Sequence, residues 1–174
     1  MLDVSVSYNR YKFLGYEYLT WLWFVVENDP DRITNLEHEP VSLEIGNRIV
    51  LVNKKRDAVE SITIRGDDAG LEEGMLALRK GAVVTELNLL LKADDQQWRF
   101  TLKGESLHVI GFKTPPTGRV ESEEDLEGAV LEKVNLCDKA IVCMDKLFKQ
   151  FITFRVSGGW PNKIVPLVRQ WIHS

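Results

Sequence analysis

The sequence predicts an α+β fold: antiparallel sheet of about six strands, packed by an aromatic-rich N-terminal helix and by C-terminal helices. Three observations carry this. "FLGYEYLTWLWFVVEN", residues 13 to 28, places six of the sixteen aromatics within its first twelve positions. Between residues 41 and 113, apolar residues recur every second position in short runs, the period of a half-buried strand. From Ser122 onward they recur at three and four, the period of a helix face.

The first helix is expected from about Arg10 to Glu27, capped by Asn9, with Tyr11, Leu14, Tyr18, Trp21, Leu22 and Val25 on one face. Phe13, Trp23 and Phe24 widen that face, as in a helix covered on more than one side. Its unbroken apolar part, Tyr18 to Val26, is too short for a membrane span, which takes roughly 20 residues. Pro30 disfavours helix at Asp29 and ends the element. In "VSLEIGNRIVLVNKKRDAVESITIRG" the Gly46-Asn47 pair suits a two-residue hairpin turn, and Val59 to Arg65 adds a third strand. "DDAGLEEGMLALRKG" reads as a short helix with acids first and bases last, matching the helix dipole. Three strands follow: "VVTELNLLLK"; "WRFTLK", with Trp98, Phe100 and Leu102 opposite Arg99, Thr101 and Lys103; and "SLHVIGFK".

After the loop "KTPPTGRVES", Ser122 and Asp125 form a capping-box-like start to a long helix, weakened in principle by Gly128 and Asn135. "SGGWPN" breaks it, and a last helix begins near Lys163, with Pro166 tolerated in its first turn. A single domain over residues 1–174 is expected, any subdivision falling near 113–122.

The net charge of −4 excludes a uniformly basic coat but not a local basic stripe. Cys137 and Cys143, about 240° apart on a helix, face different ways and read as reduced thiols in a cytoplasmic protein. The opening "MLDVSVSYNRYK" has an acid at position 3 and no apolar core, so no secretory leader is expected. No phosphate-loop Gly-Lys pair, GxGxxG, His-Glu-x-x-His or G-x-S-x-G occurs, and no lysine follows an acid by two positions. An enzyme is therefore not expected, nor is a cofactor. His38, His108 and His173 have no metal-ligand spacing, and the acidic runs Asp67-Asp68, Asp94-Asp95 and Glu121 to Asp125 read as turns and helix starts.

The positive signal is basic: Lys54, Lys55 and Arg56, then Arg99 and Lys103 on one strand face, and Lys113. Such a row can follow phosphates without reading sequence. A solvated outer sheet face explains the same pattern, and the aromatic helix fits a core or dimer interface better than a base-stacking surface.

Residues 80 to 115, "KGAVVTELNLLLKADDQQWRFTLKGESLHVIGFKTP", resemble a stretch of the bacterial recombination-associated RdgC family, with its G-x-V-V-T-x-L-x-L, an aromatic-bearing strand, and a strand ending near L-x-x-L-x-F. "VSLEIGNRIVLVNKKRDAVESITIRGDDAGLEE", "NLCDKAIVCMDKLFKQFI" and "FLGYEYLTWLWF" are similar in layout to its strand pair, its late helix and a segment of longer relatives. The chain resembles a shortened relative covering the C-terminal part, without the N-terminal portion that helps close the family's ring. Glu86 stands where relatives often carry a basic residue. The resemblance implies a cytoplasmic, nucleoid-associated, non-catalytic homodimer that binds double-stranded DNA with little sequence preference and restrains recombination. Carried over by position, Lys54, Lys55 and Arg56 are the DNA-binding candidates, to which the strand faces add Arg99, Lys103 and Lys113. The other expectation is an oligomeric interaction or scaffold protein that keeps the fold without DNA binding.

Overall fold

The aromatic run forms helix α1, Phe13–Asn28, and it is core: Tyr18, Leu19, Trp21, Leu22 and Trp23 are all at most 2% exposed. The structure is a computed structural model that describes residues 12–34, 40–55, 58–66 and 69–174. The expected cap Asn9, with Arg10 and Tyr11, lies outside these. A single turn, α2 (Asp31–Thr34), follows Pro30, and its Ile33 enters the core.

One five-stranded sheet follows, ordered β2-β1-β3-β4-β5 with every neighbouring pair antiparallel. Its strands are β1 (Val41–Lys55), β2 (Ala58–Arg65), β3 (Val83–Ala93), β4 (Gln96–Lys103) and β5 (His108–Lys113). Helix α3, Ala69–Arg79, carries the chain from β2 over β1 to β3, so β2 and β3 run parallel with β1 between them, a split β-α-β unit. The fold class is thus α+β, as expected, with one strand fewer than the expected six.

The missing strand is explained at Gly46-Asn47. This pair does not turn the chain; β1 runs through it, and its register against β3 slips between Ile45 and Ile49. The glycine serves close approach: a Cβ at Gly46 would collide with the Asn88 side-chain amide of β3. The chain reverses between β3 and β4 at Asp94-Asp95, where Asp94 takes a positive φ of 51°.

The inner sheet face is apolar. Leu43, Ile49 and Leu51 of β1, Leu87, Leu89 and Leu91 of β3, and Trp98, Phe100 and Leu102 of β4 are all buried. Helices α1 and α3 cover it over β1, β2 and β3. Fully burying such side chains stabilises by about 1.5–3 kcal/mol each, far more than any surface ion pair here.

The long helix α4, Glu123–Arg155, packs against α1 through Leu147, Phe148 and Phe151, and runs unbroken through Gly128 and Asn135. The Trp98 indole donates to the Leu136 carbonyl at 2.8 Å and fixes the helix on β4. As the sequence predicts, Ser122 Oγ accepts from the Asp125 amide, and Asp125 accepts from the Glu121 amide and the Ser122 hydroxyl. A wide π-type turn, Trp160–Ile164, leads into α5, Val165–His173, with Pro166 in the first turn. Glu27 of α1 accepts from the indoles of both Trp23 and Trp171, which ties the last helix to the first. Among the described residues no helix is long and apolar enough to cross a membrane.

Candidate nucleic-acid interface

The helices sit on one side of the sheet, and the other side carries mostly polar side chains. Alternation along β4 sends Trp98, Phe100 and Leu102 inward and Gln97, Arg99, Thr101 and Lys103 outward. Pairing then sets which outward residues are neighbours. Arg99 lies opposite Lys113 of β5 and Leu90 of β3, and Lys103 lies opposite His108 and Glu86. Between these rungs Thr101 faces Ile110 and Asn88, whose amide donates to the Thr101 hydroxyl at 2.9 Å and to the Phe100 carbonyl at 3.1 Å.

A bulge produces the Arg99–Lys113 pairing. The β4–β5 register shifts between Arg99 and Thr101, and Gly111 takes φ 61° there. The slip leaves Phe112 against the Phe100 ring on the inner side and Lys113 beside Arg99 on the outer side. Both cations are exposed, and neither has an ion-pair partner among the described residues. Like charges directly opposite on neighbouring strands destabilise a sheet. This rung therefore costs the fold a little stability instead of contributing it.

The acids stand nearer the middle of the face. Glu86 receives Arg48 at 3.1 Å and Lys103 at 3.4 Å, and Glu44 receives Lys92 at 2.6 Å. Arg65 of β2 lies opposite Arg48. Half-exposed pairs of this kind are worth roughly 0–1 kcal/mol each and are screened by salt. Their main effect is to leave uncompensated positive charge at the β4–β5 side, with Arg99 and Lys113.

Of the six sequence candidates, Arg99, Lys103 and Lys113 come together on adjoining strands. Lys54 and Lys55 close the far end of β1, opposite Val59 and Ala58, beyond the Val52–Val83 rung. Seven residues of β3 separate that rung from the one holding Arg99, roughly 23 Å at 3.3 Å per residue. Arg56 lies outside the described residues, as does His38. His108 begins β5 next to Lys103, and His173 ends α5. Cys137 is half-buried and Cys143 buried, and neither is in a disulfide among the described residues. Arg48 was not singled out in the sequence; only the β1–β3 register brings it to Glu86, 38 positions away.

No protein-family model matches this chain, and no curated protein matches it.

Proposed function

We propose that this chain is a non-catalytic accessory protein of recombination, similar in role to the RdgC family, that binds duplex DNA through the outer face of its sheet without reading sequence. One observation carries the reading: Arg99 and Lys113 face each other on neighbouring strands with no ion-pair partner among the described residues, and Lys103 stands two pleat repeats further along β4. A like-charge rung that weakens the fold is supported by an anionic partner, and a phosphate backbone supplies such charge at regular spacing. The bulge at Gly111 has the same sense, since it aims Lys113 to the side of Arg99. On this reading Lys54, Lys55 and Arg56 extend the contact along the duplex, and the protein acts in the cytoplasm at the nucleoid.

The test is a gel shift with random-sequence duplex DNA at two salt concentrations. Binding should weaken steeply as salt rises, and the double variant R99A/K113A should reduce the log–log slope by about 2, one unit per lost phosphate contact. No binding at low salt, or an unchanged slope, rejects the reading. A second reading, an interaction protein with no nucleic acid ligand, is favoured by a different feature: the apolar stripe that α4 leaves exposed.

A further inference from the structure

Helix α4 buries only one of its apolar faces. Leu136, Ala140, Cys143, Leu147 and Phe151 point into the core. A neighbouring stripe, Val130, Val134, Cys137, Ile141, Met144 and Phe148, follows the alternating four-and-three spacing of a coiled-coil seam. Its upper part is bare: Val130, Val134 and Ile141 are 54%, 60% and 60% exposed. Its lower part forms one wall of an apolar groove of about 500 Å³, closed on the other side by Leu107, Val109 and Phe112 at the β5 edge of the sheet. Isolated exposed apolar residues are ordinary, but a heptad row that runs into an unfilled groove is not.

We infer that a second copy of this chain fills the groove, by antiparallel pairing of α4 with α4 about a twofold axis that crosses the helix between Cys137 and Ile141. Two properties of the helix favour this occupant. The first is self-complementarity in shape. The bare stripe from Val130 to Val134 lies as far above that axis as Met144 and Phe148 lie below it, so the protruding part of one copy matches the recessed part of the other. Val130 then meets Phe148 of the partner, Val134 meets Met144, and Cys137 meets Ile141, apolar on both sides in each layer.

The second property is charge. Glu123, Asp125, Glu127 and Glu132 outnumber Lys133 at the N-terminal end, whereas Lys139, Lys146 and Lys149 outnumber Asp138 and Asp145 further on, Arg155 being held by Glu17 of α1. Antiparallel pairing sets acidic turns against basic ones, and parallel pairing sets acidic against acidic. The surface lies on the helical side of the sheet, so this inference is independent of DNA binding on the opposite face.

Light scattering on the full chain, at tens of micromolar, should give twice the 19.9 kDa chain mass. Val134→Glu, at an exposed position, should return the mass to one chain with an unchanged circular dichroism spectrum, and Thr153→Lys should leave the dimer intact. A bismaleimide of about 8 Å should link two copies through Cys137. Val130→Cys in a Cys137→Ser background should not be linked, because the axis leaves those positions about 27 Å apart along the helices. A monomeric wild type, a dimer indifferent to Val134→Glu, or efficient linkage at position 130 would each overturn the inference. Gel shifts of Val134→Glu keep the two readings distinct, since loss of the dimer and loss of DNA binding are scored separately.

Discussion

Tyr18 shows how a single buried hydroxyl shapes the core. Its ring packs against Trp21, Phe148 and Phe151, yet its hydroxyl is buried with no hydrogen-bond partner among the described residues. Burial pushes the phenol well above its ordinary range, with Cys143 and Asp145 adding to the effect. The unfolded chain loses that proton near pH 10 while the folded chain keeps it, so the unfolded state binds fewer protons and stability must fall as pH rises beyond about 10, by about 1.4 kcal/mol per pH unit. Tyr18→Phe keeps the packing and removes the unpaired group. It should leave stability unchanged or raise it by up to about 1 kcal/mol in urea melts, and should flatten the alkaline decline. Glu27 is the opposite case, since one carboxylate holds two indoles. Glu27→Ala should cost about 1–3 kcal/mol in the same melts, and an unchanged midpoint would refute the role assigned to that bridge.

At the level of elements, the strand and helix periods were legible because each element has one face in the core and one outside. The Gly46-Asn47 pair lies in a strand and not in a turn for a reason that local sequence does not reveal: a tight turn and a crowded bulge both require the absence of a Cβ, and sequence alone does not distinguish them. Asn88 is held by Phe100 and Thr101, so it yields poorly to an added methyl. Gly46→Ala should accordingly destabilise by about 1–3 kcal/mol through overpacking, measured by thermal melts. The α4 cap was legible in the Ser122 to Asp125 spacing. Hydrogen bonds from the Ser122 hydroxyl and the Glu121 amide hold the Asp125 carboxyl below its usual range. Their support for the helix start is present above the ordinary carboxylate pKa and is lost as pH falls through the lowered one. NMR titration of Asp125, together with amide exchange in the first turn, should show that loss on acidification. The rung between Arg99 and Lys113 was only half legible. The strand face of Arg99 follows from alternation, but its partner depends on the slip at Gly111, which no local pattern announces.

For the molecule as a whole, one apolar cluster joins residues from α1, the sheet, α4, the Trp160–Ile164 turn and α5. Because that cluster ties elements from both ends of the described chain together, unfolding should be a single cooperative transition with coincident fluorescence and circular dichroism curves. On the proposed reading the outer face of the sheet carries the duplex. Lys113→Glu should raise stability by a few tenths of a kcal/mol, by relieving the like-charge rung, and at the same time abolish most duplex affinity. A variant that loses both, or neither, would break the link between those two effects.

The first turns of α4 carry one more consequence. None of their described side chains before Leu136 is buried, and a helical stretch of that length holds poorly in water by itself. Deuterium uptake should thus form a gradient along the helix, fast near Glu123 and slow past Ala140, and the fast end should become protected as protein concentration rises. The segment would act as a thermometer of crowding between like chains, rigid when company is present and fraying when it is not.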